Sequence, residues 1–256
     1  MKRFEGKVVV VTGTSAGIGR ATAKRFAKEG AKVVGIARRE NLMKELTEEI
    51  QADGGIFVPV IGDLTKEENV ELLFETAVRE FGKIDVLVNN AGTSDLLIRC
   101  NKMDNEIWDD VIALNLTVPF KTSRKALSYM LNQTSGGSIV NVGSVASISG
   151  GIGGAAYTAS KHGIMGLTRS VAYAFAKEGI RCNLVMPGGV DTYLCSPECA
   201  ATFDKEGLAI NTVASGPMIR LAQPEELASV ILYAASDDAS VLNGAIIAAD
   251  AGFLAG

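Results

Sequence analysis

The sequence predicts an α/β fold: a doubly wound sheet of about seven parallel strands with helices on both faces. Three observations predict it. Short runs rich in valine and isoleucine alternate with longer stretches of helical periodicity through all 256 residues. Those runs are apolar throughout, as strands covered on both faces are. A glycine-rich turn, residues 12–19, joins the first run to the first helical stretch.

The elements follow in order. Residues 7–12 form an apolar run that Gly13 ends, the first strand. Residues 18–28 are helical in period and stop before Gly30. Residues 32–37 are a second strand, and 41–52 a charged amphipathic helix closed by Gly54 and Gly55. Residues 56–61 are a third strand; Pro59 cannot donate to a ladder, which puts this strand at an edge. Then come a helix over 66–81, a strand over 84–88 and one long helix over 105–131, kinked by Pro119. A strand over 138–142, a helix over 157–177 and a strand over 181–185 follow. Pro224 opens a helix that runs to Ala235, and 245–249 is the last strand. Right-handed crossovers between such strands make a Rossmann-like, doubly wound parallel sheet.

One segment breaks the alternation. Residues 187–217 contain Pro197, Gly207 and two cysteines, with patchy helical periodicity. A long insertion of this kind in a compact domain is more often a functional lid than filler. No linker, repeat or low-complexity stretch divides the chain. Residues 1–256 therefore read as a single domain with a lid at about 188–217.

Bulk properties exclude several function classes. The formal charge of −4 is spread without long runs of one sign, so neither a nucleic-acid groove nor a polybasic membrane patch is expected. No run approaches eighteen apolar residues. Met1-Lys2-Arg3 and Val8–Val11 are too short a pattern for a secretory signal. Four scattered cysteines make no disulfide framework. Cys195 and Cys199 are four apart, but His162 is the one histidine and nothing completes a metal site. A reduced, cytoplasmic protein without metal fits best.

The chemistry gathers around Tyr157 and Lys161, which share one helix face at i and i+4. A fixed cation beside a phenol favours the phenolate and makes tyrosine a usable proton shuttle. Any surface helix can carry this spacing, so the pair needs company. His162, about 100° further round the helix, is read as structural. Residues 12–19 supply a second clue. Glycines there permit a tight turn and close approach to a diphosphate at a helix amino terminus. The spacing is Gly-x-x-x-Gly-x-Gly, neither the usual dinucleotide fingerprint nor a P-loop. An ordinary glycine-rich loop is the bland alternative.

The second strand ends at Ala37-Arg38-Arg39, with no carboxylate for ribose hydroxyls. Guanidinium at Arg38, helped by the Ser15 hydroxyl, suits a 2′-phosphate, so NADP(H) is expected over NAD(H). The alternative is that Arg38 and Arg39 are a solvated corner. Asp63-Leu64 and Asn89-Asn90-Ala91-Gly92 follow the third and fourth strands, at the carboxyl ends where such sheets bind ligands. Asp63 is a candidate adenine acceptor, and Asn90 and Gly92 candidate walls of the adenosine side. The same residues also suit plain turns.

Taken together, these residues resemble the short-chain dehydrogenases/reductases, in the branch of about 250 residues. The resemblance covers residues 7–252. It is carried by Thr12-Gly13-x-x-x-Gly17-x-Gly19, Asn89-Asn90-Ala91-Gly92, Asn115, Ser144, Tyr157-x-x-x-Lys161 and Pro187-Gly188, in that order. Ser144 lies thirteen residues before Tyr157, as is usual in that family. The resemblance implies a single dinucleotide-binding catalytic domain with a tetrad of Asn115, Ser144, Tyr157 and Lys161. Tyr157 would be the acid/base, and Lys161 would lower its pKa and hold the nicotinamide ribose. Ser144 would orient the substrate oxygen, and Asn115 would hold a water of a proton relay. Cofactor contacts would come from Gly13, Ser15, Gly17, Ile18, Gly19, Arg38, Asp63, Leu64, Asn90, Ala91, Gly92, Tyr157 and Lys161. Pro187, Gly188, Val190 and Thr192 would border the nicotinamide. Two departures stand out: Asp250-Ala251-Gly252 where Asp-Gly-Gly is usual, and Gly143 before the serine. The Tyr–Lys spacing does not match the enoyl reductases. Lysine at 161 and an intact nucleotide turn do not match the halohydrin dehalogenases.

The expected reaction is hydride transfer between NADP(H) and a carbonyl or secondary alcohol of a small molecule. Tyr193, Leu194, Phe203, Leu208, Ile210, Val213 and Met218 after the lid's start, with Leu96, Leu97 and Ile98 opposite, suggest a mostly apolar pocket. An apolar or cyclic substrate such as a hydroxysteroid would suit it. Alternatively these side chains only seal the lid onto the body. A 3-oxoacyl thioester on acyl carrier protein is the rival substrate, although no basic patch for an acidic carrier is evident. A non-catalytic nucleotide-binding regulator is the reading from another class, and an intact tetrad speaks against it. Trp108, Leu114, Phe120, Leu167, Val171 and Phe175 put apolar groups on more than one helix face. The resemblance implies a homo-oligomer, dimer or tetramer, through these helices.

Overall fold

A computed structural model describes residues 2–216 and 219–255. Its centre is a seven-stranded sheet of β1 (Val8–Thr12), β2 (Lys32–Ala37), β3 (Ile56–Ile61), β4 (Val86–Asn89), β5 (Gly137–Val142), β6 (Ile180–Pro187) and β7 (Ile246–Ala249), in the order β3-β2-β1-β4-β5-β6-β7. Every neighbouring pair is parallel. The order reverses between β1 and β4, which opens a crevice above their carboxyl ends. Pro59 lies on β3, the edge strand its missing N–H requires.

Strand alternation divides the core. Val9, Val11 and Val33 point to one face, against Phe26 of α1 (Gly17–Lys28), Met43 and Leu46 of α2 (Glu40–Ala52), and Leu227 and Ile231 of α9 (Pro224–Ala235). Val8, Val10 and Val34 point to the other. There they meet Leu73 and Phe74 of α3 (Glu67–Phe81), Leu127 and Met130 of α5 (Val118–Met130), and Val171 of α6 (Ala155–Ala174). This explains why the strands read as unbroken apolar runs: both sides are covered.

The expected helix over 105–131 is not one α-helix with a proline kink. It comprises α4 (Asn105–Ile112), a π-helical turn over Ala113–Thr117, and α5. Pro119 has no N–H to donate and sits in the first turn after the π segment, so the wider turn absorbs the break. The fourth strand begins at Val86, not Ile84, because the Ile84 N–H is taken by the Gln133 side chain (2.9 Å). α6 stops at Ala174, short of Lys177, and passes through a 3₁₀ turn to left-handed Gly179. The 187–217 segment holds more structure than its sequence pattern suggests. β6 runs to Pro187, a 3₁₀ turn spans Tyr193–Cys195, and α7 (Pro197–Ala200) and α8 (Lys205–Ser215) follow. Ser196 and Asp204 cap these two helices through their side chains.

Candidate active site

A cleft of about 860 Å³ opens over the carboxyl ends of the strands. It is lined by Gly13 and residues 15–18, 36–39, 62–65, 90–94, 142–145, 187–190 and 192–195. The sequence candidates Ser144, Tyr157 and Lys161 face it as well. A second cavity, about 70 Å³, lies near Arg3, Asp85 and Arg181 and is too small for a dinucleotide.

The glycine turn forms one wall. Gly13 and Gly17 take left-handed backbone angles (φ 74° and 56°), which a side chain would strain. A Cβ on Gly19 would lie 2.2 Å from the Gly13 carbonyl oxygen, so only glycine lets α1 start this close. The Asn90 side chain donates to the carbonyls of Thr12 (2.9 Å) and Gly13 (3.3 Å). Asn90 therefore ties the end of β4 to the turn as well as lining the cleft. Ala16, the N-cap of α1, gives no side-chain cap, and no acid sits in the first turn. The amino end of the helix is left to present N–H groups and positive dipole to an anion.

Beyond β2, Arg39 is exposed but reaches back to the glycine turn. Its Nε (3.2 Å) and Nη2 (2.8 Å) both donate to Ser15 Oγ, joining the second strand's end to the glycine turn. Sequence reading put the weight on Arg38; both arginines line the cleft, and Arg39 makes the contact. Asp63 accepts from the Thr65 N–H (3.0 Å) and hydroxyl (2.9 Å). Its carboxyl is held below its ordinary range chiefly by the Thr65 N–H, with Arg38 adding to the effect. Leu64 is buried beneath the same wall. Thr192 closes over the turn, and a Cβ on Gly17 would lie 3.0 Å from its methyl. Val190 bridges to Ala222, and Gly188 fits against Asp250. At the altered C-terminal motif, Ala251 is left-handed (φ 54°), and Asp250 accepts from the Gly252 and Leu254 N–H groups.

The tetrad residues converge at the cleft's other end. Lys161 is buried; its Nζ donates to the Val142 carbonyl at the end of β5 (3.0 Å) and lies 5.5 Å from the Tyr157 ring centroid. Burial pulls its pKa down to about 8. Asn115 sits in the π turn, where the widened backbone carries it under the loop after β4. Its amide clasps Thr93, accepting from the N–H (2.8 Å) and donating to the carbonyl (2.9 Å), and also donates to Ser160 (3.2 Å). Gly92 makes room between the two: a Cβ there would be 3.2 Å from Asn115 Oδ1 and 3.8 Å from Lys161 Nζ. The Ser144 hydroxyl accepts from the Ala146 N–H (3.1 Å), and Ser147 returns a bond to the Ser144 N–H. The Ser144–Ser147 box fixes the serine at the mouth of β5.

The protonation balance differs from the one expected. Lys161 was expected to lower the Tyr157 pKa; the phenol is instead pushed above its ordinary value. Burial is the main cause, opposed by a hydrogen bond with Ser144 and reinforced by Asp95 and Cys195. The desolvation cost of a phenolate outweighs the Ser144 hydrogen bond, the one influence that lowers the value. Tyr157 is thus a protonated donor near neutral pH.

Other expectations sort by geometry. Tyr193, Leu194 and Phe203 line the cleft, as does Leu97. Ile210 and Val213 face outward, 50% and 83% exposed, because they lie on the solvent side of α8. Leu96, Ile98 and Leu208 do not line the cleft. Met218 lies outside the described residues. His162 is exposed, its ring against the Thr158 carbonyl of its own helix. Two features escaped the sequence reading. One is the grip of Arg39 on Ser15. The other is Asp95, fully buried beside the first turn of α6; an acid leading three apolar residues was its only trace. No group of metal ligands occurs among the described residues.

Comparison with known proteins agrees with this geometry. A family model described as short chain dehydrogenase matches residues 7–201. The chain is 39% identical to a 3beta-hydroxysteroid dehydrogenase of Mediterraneibacter gnavus, over 99% of this chain and 96% of the relative. It is 40% identical to the 3-oxoacyl-[acyl-carrier-protein] reductase FabG of Thermotoga maritima, over 98% of this chain and 99% of the relative. The solved structure of gox2181 superposes with a TM-score of 0.88 at 31% identity, covering 99% of this chain and 98% of that one.

Proposed function

The chain belongs to the short-chain dehydrogenase/reductase family, NAD(P)-dependent oxidoreductases of CH–OH and C=O groups, and on that premise we propose a specific activity. It transfers hydride between NADP(H) and a carbonyl or secondary alcohol on an apolar, cyclic substrate of the hydroxysteroid kind. The observation that carries this reading is the convergence of the Tyr157 phenol, the Lys161 ammonium and the Ser144 hydroxyl on one largely apolar cleft.

The residues present fit a phosphorylated dinucleotide. Ser15, Arg38 and Arg39 would hold a 2′-phosphate through charge-assisted bonds. The uncapped start of α1 would take the diphosphate, and residues 187–192 would border the nicotinamide. When bound, the nicotinamide supplies or accepts the hydride. The chain's residues manage the oxygen. In reduction Tyr157 gives its proton to the developing alkoxide, and Ser144 donates a second hydrogen bond to the same atom. The phenol, its pKa raised by burial, carries its proton near neutral pH. Lys161 offsets the charge left on Tyr157, and Asn115 would hold a water that links Lys161 to solvent. Oxidation reverses each step.

Leu97, Val145, Ile152, Leu194, Phe203 and Phe253 give the substrate end its apolar walls, and the segment after Pro187, which carries Leu194 and Phe203, would act as its lid. The hydroxysteroid dehydrogenase relative supports this choice. The acyl-carrier reductase relative supports the second reading, a 3-oxoacyl thioester. Beside α8, Arg99 and Lys102 are paired with Glu206. The face bearing Trp108 and Phe120 is taken as a contact between copies. Initial rates on 3-ketosteroids, their alcohols, cyclic ketones and 3-oxoacyl thioesters, with NADPH and NADH, test the reading. Steroid turnover with NADPH at least ~10-fold better than with NADH is expected, and Arg39→Glu should erase that preference. Thioester turnover without steroid turnover would replace the substrate reading. Cofactor binding with no turnover of any substrate would mean a regulator.

A further inference from the structure

Asp95 is the one carboxylate in the middle of the molecule with no exposure at all. No salt bridge reaches it among the described residues. An ionised carboxylate so placed costs several kcal/mol unless strong donors surround it. Three backbone N–H groups do: Gly154 (3.0 Å), Tyr157 (2.9 Å) and Leu97 (3.2 Å). Two of these are the opening of α6, whose dipole also favours a negative charge there. One of them is the backbone of Tyr157 itself.

The surroundings are shaped around this group. A Cβ on Gly154 would lie 2.4 Å from Asp95 Oδ2 and 2.5 Å from the Ile98 carbonyl oxygen, so glycine is required. Leu96 and Leu97 both take left-handed angles (φ 57° and 59°), which strain a side-chain-bearing residue. That strain turns the Leu96 carbonyl to the Asp204 N–H (2.9 Å), where α8 begins. Gly207 of α8 fits against the Leu97 carbonyl, leaving no room for a Cβ. The Asp95 side chain therefore ties the loop after β4 to the turn that carries Tyr157, and the backbone of the same loop, through Leu96 and Leu97, meets the start of α8.

We propose that Asp95 is a positioning residue that fixes the Tyr157 hydroxyl for proton transfer and registers α8 against it. The proposal rests on the acid/base reading of Tyr157. A neutral capping group would also satisfy an amino terminus. The charge adds a second consequence. Facing Tyr157 are Lys161 from α6, Cys195 from the segment after β6, and Asp95; Asp95 makes the phenolate costlier to form. Asp95 thereby keeps the phenol a proton donor at higher pH.

The test compares wild type, Asp95→Asn, Asp95→Glu and Tyr157→Phe for NADPH-dependent reduction across pH, with NADPH affinity measured by fluorescence. Asp95→Asn should lower kcat about tenfold or more, with NADPH affinity within about twofold of wild type. The alkaline limb of kcat holds two steps, Lys161 at about 8 and Tyr157 above it, and the upper step should move to lower pH by about half a unit or more. Asp95→Glu should keep the wild-type position of that limb while kcat stays reduced, because charge is restored but placement is not. If Asp95→Asn does not fold, reduced kcat with a wild-type limb in Asp95→Glu sustains the proposal, and wild-type kcat there overturns it. An Asn variant whose kcat and limb both match wild type overturns it too, while a dead Tyr157→Phe leaves the reading of the site standing. An active Tyr157→Phe would instead remove the premise.

Discussion

Lys161 is charged at neutral pH in a place that penalises charge. Its pKa of about 8 is well below the ordinary lysine value, and the cause is burial. A lowered folded pKa means the native state sheds its proton first as pH rises. Between about pH 8 and 10.5 the unfolded chain binds more protons, so stability gains with pH over that window. Compared with Lys161→Met, the wild type should gain on the order of 2–3 kcal/mol between pH 7 and 10.5, read by urea unfolding of both proteins. A difference that stays flat would mean the ammonium is better solvated than its burial indicates. The pair Tyr157–Lys161 was legible because helical spacing is local, four residues on one face. The sign of the phenol's shift was not. It depends on how deeply the ring is covered by residues distant in sequence, and desolvation there sets the direction. Asp95 was illegible for the same reason: its partners Gly154 and Tyr157 lie about sixty residues away.

Among elements, strand runs and most helices followed from periodicity, and β2, β3 and α9 begin and end where the pattern places them. The long helix did not, because a π turn keeps the same apolar stripe while rotating its register, and only backbone geometry reveals that. The same turn delivers Asn115 to Thr93. α8 was missed because its outward side carries Ile210 and Val213, which blurs the amphipathic pattern. Its seat on Leu97 is tight enough to test. Gly207→Ala places a methyl within the Leu97 carbonyl's contact distance and should push α8 off its seat. Limited proteolysis should then cut within residues 196–216 several-fold faster than in wild type, while the main urea transition moves by no more than roughly 1–2 kcal/mol. Equal cleavage rates would show that the segment is not held through this contact.

At the scale of the whole molecule, the order reversal between β1 and β4 puts the glycine turn and the tetrad on one rim. The topology was legible because right-handed crossovers leave few alternatives. The apolar helix residues from which a homo-oligomer is expected do not all face outward. Of the six apolar helix residues singled out, Val171 is core, and Leu114, Leu167 and Phe175 pack against it. Trp108 and Phe120 remain outward, 38% and 46% exposed. Light scattering after size exclusion should give a dimer or tetramer, and Phe120→Glu should shift it toward smaller species; a monomeric wild type would contradict that account. The central claim is that this fold turns over substrate through the Tyr157 proton. Its most direct measurement is the rate of NADPH oxidation by a 3-ketosteroid with wild type and Tyr157→Phe, at matched, verified NADPH binding. Turnover should fall about 10²-fold or more in the variant with binding retained. Wild-type turnover in Tyr157→Phe would contradict it.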